Sequence, residues 1–311
     1  MKVLFVTAIQ DLKISENLGR GDKISTELLI TNDSSLIKGL LNREFSALAG
    51  IIETNFILNS DLIIYGENNV NDKEFDAQDY LNRQMMASKF FLNFIWLIKD
   101  NSVNFDMAFL QYFEPRGIRV HKNYVSTVYS NCHGNRDKIT LSRDELKLAR
   151  KIFRERFSKG PVELQKGTRL QKGIDRVSIV FYFLQSARSN SDLAIRIVDY
   201  CTCFEALFST STAELSHQLA ERIALFIGDS SKERRDIFNK IKEAYGIRSR
   251  IIHGDLLTPS KINRLYNISE TCDNFLRRIL YKLFLDIELS NIFSTPPNEL
   301  DDYFLDLILA K

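Results

Sequence analysis

Tyr245-Gly-Ile-Arg-Ser-Arg-Ile-Ile-His-Gly254 is the stretch that decides how the second half of this chain folds. Ile237, Ile241, Tyr245, Arg248 and Ile252 recur at three- and four-residue steps, so they share one face of a helix. Ser230-Ser231 caps that helix at its start, and Gly254 stops it directly after His253. Arg248 breaks the apolar stripe. A guanidinium buried alone carries a large desolvation cost, so it has a partner or a task. Its place five residues before His253 sets a permanent cation and an imidazole at one helix end.

Working outward, the flanking segments also read as helices. Asp175 to Ser189 comes first, followed by a helix capped by Ser191-Asp192 and running to Phe208. Glu214 to Gly228 is the third, and Ser230 to His253 the fourth. Pro259-Ser260 opens a fifth, with Ile262, Leu265, Cys272, Phe275, Ile279, Leu283 and Ile287 on its stripe. A short helix, about Asn298 to Leu309, follows Pro296-Pro297. Short loops between such helices predict a bundle. On the helix ending at Phe208, Glu205 shares a face with Val198, Cys201 and Phe208, which makes it the natural partner for Arg248.

Before Ser158-Lys-Gly-Pro161, a linker signal, the pattern is mixed α/β. Strands are expected at residues 2–8, Leu28–Thr31, Asp61–Tyr65 and Gly117–Tyr129. Helices are expected from Leu36 to Leu48 after an Asp33 cap, from Phe75 to Lys99, and from Ser142 to Phe157. The polar run Gly66 to Asp72 is read as ending its strand. The expected organisation is a mixed α/β domain over residues 1–160 and an all-α domain over residues 161–311.

Composition bounds the function. The chain has 311 residues, 44% hydrophobic and 26% charged, which fits a globular protein and excludes a disordered one. A net charge of +2 is too balanced to argue for nucleic-acid binding by itself, so any basic surface is local. The apolar run Phe90–Ile98 is too short to span a bilayer. Met1–Ala8 reads as a strand and not as a leader, so a cytoplasmic protein without membrane association is expected. Cys132, Cys201, Cys203 and Cys272 have no framework spacing and are expected reduced. Cys132-His133, with His121 nearby, reads as a surface turn and not as a zinc fragment; neither metal nor cofactor is expected. The glycines of Gly19-Arg-Gly21 lack the pattern of a phosphate loop.

Three stretches carry a resemblance: Tyr200-Cys-Thr-Cys-Phe-Glu-Ala-Leu-Phe208, Glu214-Leu-Ser-His-Gln-Leu-Ala-Glu-Arg-Ile223, and Arg234 through Gly254. Together, over about residues 165–290, they resemble the Apea-like branch of the HEPN superfamily, whose motif is an Arg followed after four to six residues by His. The resemblance implies a HEPN helical bundle that dimerises, placing two Arg–His pairs in one cleft. It implies a metal-independent endoribonuclease acting in prokaryotic antiviral defence or as a toxin, with RNA as partner. Carried over by position, Arg248 and His253 match the catalytic pair, and Glu205, Ser249 and Arg250 stand as supporting residues. Ser249 occupies a place where many active members have Asn, Asp or His, and Ser-containing forms are usual in this branch.

The chemistry suits these residue types. RNA brings its own nucleophile, the 2′-OH. An imidazole titrates near neutrality and can take that proton or give one to the leaving 5′-oxygen. A guanidinium can clamp the phosphate and stabilise charge in the transition state. Each residue also has a plainer reading. A histidine before a capping glycine can bond the last carbonyls, and Arg248 can be a structural ion pair. Arg250 is either a solvated side chain or a phosphate contact, and Tyr245 is core before it is a base-stacking platform. His217 reads as packed or surface-lying, and Arg222 as paired to a bundle carboxylate. Lys261, Arg264, Arg277, Arg278 and Lys282 give the fifth helix a basic face that would attract RNA if it lined the cleft. The rivals to a nuclease are a non-catalytic RNA-binding or dimerisation module, and a sensor or adaptor whose residues 1–160 recognise a protein or nucleotide trigger.

Overall fold

The computed structural model describes residues 1–71, 73–115, 117–156, 174–211 and 215–309. The chain forms two compact units, Met1–Val128 with Arg136–Pro161, and Tyr129–Asn135 with Val162–Lys311. The expected linker Ser158–Pro161 lies outside the described residues. Tyr129–Asn135, expected within residues 1–160, belongs to the second unit.

The first unit runs β1 (Lys2–Ala8), β2 (Leu12–Ile14), β3 (Asp22–Lys23), β4 (Leu29–Thr31), α1 (Ser34–Leu40), α2 (Arg43–Ala49) and α3 (Ile51–Leu58). It continues with β5 (Ile63–Asn69), α4 (Ala77–Ile98), β6 (Met107–Glu114), β7 (Gly117–Tyr124), β8 (Ile139–Leu141) and α5 (Arg143–Arg156). An antiparallel sheet has the order β3-β4-β5-β1-β6-β7, and β2 pairs with β8 in parallel. Val6 stands opposite Tyr65 of β5 and Phe109 of β6. One sheet face, with Leu4, Val6, Ala8, Ile63 and Phe109, packs against Ile37, Phe45 and Ile57 of α1–α3. Alternate residues such as Val3 and Phe5 point to the other side, where α4 runs over β6 and β7. Ser142 starts α5 with a reciprocal capping box: Glu145 N–H donates to Ser142 Oγ at 3.2 Å, and Ser142 N–H to Glu145 Oε2 at 2.7 Å. Phe153 of α5 sets its ring edge-on to Phe91 and Phe94 of α4, with centroids 5.4 and 5.3 Å apart.

Several expectations are corrected here. The helix expected from Leu36 to Leu48 is two helices, because Asn42 caps a new start by accepting from Phe45 N–H at 2.8 Å. β5 continues through Gly66 to Asn69 because pairing with β1 carries it, and Gly66 permits the close approach of the Glu27 carbonyl. β6 and α3 carry no periodic signal. Residues 108–112 of β6 are buried on both faces, and α3 scatters Glu53, Thr54 and Asn55 around its axis so that no apolar stripe stands out. β7 ends at Tyr124.

The second unit comprises α6 (Arg176–Ser189), α7 (Leu193–Phe208), α8 (Leu215–Ile227), α9 (Ser231–Ile252), α10 (Pro259–Ile262), α11 (Leu265–Leu285), α12 (Ile287–Ile292) and α13 (Pro297–Leu309). The expected fifth helix is thus broken at Asn263-Arg264 and again at Asp286, whose carboxylate caps α12. Ile262 and Ile287, placed on its stripe from sequence, are exposed. α7 is the central helix, packed on α6, α9 and α11. It is tied to α11 by Tyr200, whose hydroxyl donates to buried Asp273 at 3.0 Å; Arg277 donates to the other carboxylate oxygen at 2.8 Å. No helix among the described residues is long and apolar enough to cross a membrane.

Phe153 holds α5 to α4. Phe153→Ala is expected to destabilise the first unit by about 3 kcal/mol, read as a lower denaturant midpoint. A loss well under 1 kcal/mol would show that this aromatic packing does not fix α5.

Candidate functional site

α9 carries both candidate catalytic residues. Ile237, Ile241, Ala244 and Ile247 form its buried stripe, with Tyr245 and Arg248 half-buried at its edge and Ile252 exposed. The stripe drifts around the helix, so Ile252, grouped with the buried face from sequence, points outward.

Arg248 meets Glu205 of α7. Its Nη2 lies 3.2 Å from Glu205 Oε1 and donates to Oε2 at 3.4 Å. The two side chains keep 24% and 19% of their surface exposed, so the pair is partly wet and its attraction correspondingly screened. The contact is more coulombic than hydrogen-bonded. Glu205 Oε1 and Arg248 Nε are buried without an aligned hydrogen-bond partner. The guanidinium carbon lies 5.2 Å from the centre of the Tyr245 ring. Burial first, then the Glu205 charge, raise the Tyr245 phenol above its ordinary range. Burial also pushes the Cys201 thiol up, with Glu205 adding and Arg248 opposing, which makes Cys201 an inert core thiol.

His253 terminates α9. Gly254 adopts φ +80°, a left-handed conformation that favours glycine. Its N–H donates to Ile251 O at 3.1 Å, and Asp255 N–H donates to Arg250 O at 2.8 Å. This Schellman arrangement satisfies the last carbonyls with backbone donors, so the His253 imidazole is not needed as a cap. The imidazole is exposed and makes no hydrogen bond, ion pair or ring contact among the described residues. At about 100° per residue, Arg248 and His253 project roughly 140° apart around the helix. Ser249 and Arg250, both half-buried, are the neighbours of His253 at four- and three-residue spacing. The structure brings Arg248, Glu205 and Tyr245 together and leaves His253 apart from them.

Glu205 also forms part of the wall of a cavity of about 570 Å³, with Asp175, Arg176, Phe183, Thr202 and Phe293. Arg176 and Arg222 close the end of α7 beside it. Arg176 Nη1 donates to Ala206 O and Ser209 O at 2.9 and 3.0 Å, and Arg222 Nη1 donates to Phe208 O at 2.8 Å. Arg222 also pairs with Asp301 and lies over the Phe304 ring.

The basic face expected on the fifth helix is largely committed to structure. Arg264 pairs with Glu243 at 2.7 Å and Arg277 with Asp273 at 2.8 Å. Arg278 donates to Ile227 O at 2.6 Å and pairs with Glu233, and Lys282 donates to Phe226 O at 2.7 Å. Arg278 and Lys282 thereby serve the last carbonyls of α8. Exposed His217 lies edge-on to Phe238, with ring centroids 5.2 Å apart.

Sequence reasoning missed Arg196, which is fully buried in α7. It donates to Asn190 O, to Asn131 O and to Ser130 Oγ, binding residues 130 and 131 to the bundle. The signal was present: Arg196, Tyr200, Cys203 and Leu207 recur at helical spacing on one apolar face. Cys132-His133 forms the expected turn, but not a fully exposed one. Cys132 is buried, its carbonyl accepts from Ser269 Oγ at 2.5 Å, and His133 Nε2 lies 3.5 Å from Glu270. His121 belongs to the first unit and sits against Tyr112, Nε2 to Oη 3.2 Å. Among the described residues no three His, Cys, Asp or Glu side chains gather as metal ligands would.

Compared with protein-family models, curated proteins and solved structures, the chain matches none.

The folded Tyr245 phenol holds its proton more tightly than the unfolded one. It therefore adds stability below about pH 10 that is lost as pH rises further. Glu205→Gln removes the second cause of that shift. Tyr245 is expected to ionise at lower pH in this variant than in the unsubstituted protein, followed as tyrosinate absorbance by difference from Tyr245→Phe. An unmoved titration would contradict a charged Glu205 beside the phenol.

Proposed function

We propose that the protein is a metal-independent endoribonuclease of HEPN type, working as a homodimer with Arg248 and His253 as its catalytic residues. The observation that carries the reading is the contrast on α9: an exposed imidazole with no structural duty, and a guanidinium held at the surface by Glu205 and Tyr245. An exposed histidine whose capping role is already filled by backbone donors is available for proton transfer. A guanidinium steadied by a carboxylate and a ring is preorganised to receive a phosphate.

In this reaction the 2′-oxygen of RNA attacks the adjacent phosphorus and the bond from phosphorus to the 5′-oxygen breaks. A 2′,3′-cyclic phosphate and a free 5′-hydroxyl result. One imidazole takes the 2′-proton, another gives a proton to the 5′-oxygen, and Arg248 offsets the charge on the phosphoryl oxygens. The divergence of Arg248 and His253 around one helix supports a two-copy arrangement, in which each chain supplies what the other misdirects. The resemblance to the Apea-like branch supports antiviral defence or a toxin role, with a protein or nucleotide trigger acting through the first unit.

One observation favours a second reading, a non-catalytic RNA-binding or dimerisation module: Arg248 already has a carboxylate partner. Cleavage of RNA in the presence of chelator separates the two. The unsubstituted protein is expected to cut, and Arg248→Ala and His253→Ala, folded by circular dichroism, are expected to lose on the order of a hundredfold or more in rate. Tight RNA binding without cutting, unchanged by His253→Ala, would establish the second reading instead.

A further inference from the structure

We propose that the outer face of α5 is a docking surface for the phosphate backbone of RNA. It deepens the reading above by assigning a substrate-holding surface to the first unit, and it rests on RNA being the ligand. Arg143, Lys147, Lys151 and Arg154 are all exposed. Their spacing confines them to an arc of about 80° over a length of about 16 Å. Arg143 pairs with Asp22 at 3.0 Å and its backbone N–H donates to Glu16 at 2.8 Å, while Asp22 also takes Arg150 at 2.7 Å, so the free charge of the stripe lies on Lys147, Lys151 and Arg154. Lys147, Lys151 and Arg154 have no carboxylate or hydrogen-bond partner among the described residues. The acids Asp144 and Glu155 are exposed at one flank of the arc and pair with none of these cations.

The basic residues of the helical unit provide the contrast. Arg176, Arg222, Arg278 and Lys282 are spent on helix-end carbonyls, and Arg264 and Arg277 on carboxylates. Lys147, Lys151 and Arg154 have no structural duty among the described residues that would explain their alignment. The rest of α5 narrows the partner. Its apolar face, Leu146, Ala149, Ile152 and Phe153, is consumed against the unit's own core. A helix that inserts into a lipid surface needs that face free. What remains is a line of point charges without apolar or base-reading groups, suited to successive phosphates and indifferent to sequence.

The test uses the full chain and a labelled 2′-O-methyl RNA oligonucleotide, which lacks the 2′-hydroxyl and cannot be cut by the proposed reaction. Its affinity is measured over a range of salt concentrations. Lys147→Glu/Lys151→Glu/Arg154→Glu, and the neutral Lys147→Gln/Lys151→Gln/Arg154→Gln as a milder check, are compared with the unsubstituted protein. Removing three phosphate contacts is expected to flatten the log–log salt slope by about 2 and weaken binding on the order of tenfold or more. An unchanged slope in both triple variants, no binding of the oligonucleotide at all, or binding only to phosphatidylserine vesicles would each overturn the proposal. A protein that binds through this stripe yet never cuts RNA would refute the nuclease reading and leave this one standing.

Discussion

The Arg248–Glu205 pair joins α9 to the central helix α7, and the position of the candidate site depends on it. A guanidinium on an otherwise apolar helix edge is tolerable only with a counter-charge, and Glu205 occupies the facing edge of α7. The pair is not saturated. Arg248 Nε and Glu205 Oε1 are left without hydrogen-bond partners, so the guanidinium is steadied without its donors being used up. The same pair sets the electrostatics of its surroundings, acting on Tyr245 and Cys201. Neighbouring arginines are used differently. Arg176 and Arg222 donate to the carbonyls that end α7, and Arg196 holds residues 130 and 131 to the bundle.

This contrast explains how far the sequence could be read. Arg248 and Glu205 were legible as a pair because each sits off-pattern on an amphipathic helix. The Gly254 stop was legible because a left-handed residue at a helix end has few alternatives to glycine. Arg196 obeys the same off-pattern rule, but its role is not legible, because two of its acceptors, Asn131 O and Ser130 Oγ, lie in a distant segment with no periodicity. β6 and α3 were illegible for another reason: a strand buried on both faces, or a short helix whose polar residues spread around its axis, carries no periodicity to detect. The breaks at Asn42 and Asp286 come from side-chain caps that compete with helix continuation, which hydrophobic spacing does not register.

Many basic side chains of both units close helix ends or meet carboxylates, so a basic count says little about RNA. On α5, Arg143 and Arg150 meet Asp22, whereas Lys147, Lys151 and Arg154 face outward and pair with no carboxylate among the described residues. A net charge of +2 over the whole chain does not register such a local stripe.

Under the proposed reaction, Glu205 acts on the phosphate through Arg248 alone. A double-mutant cycle on RNA cleavage in chelator tests it directly, with Glu205→Gln, Arg248→Ala and the combination. The geometry predicts that Glu205→Gln slows cleavage and that adding it to Arg248→Ala costs nothing more. Losses that simply add, or full cleavage by Glu205→Gln, would contradict it.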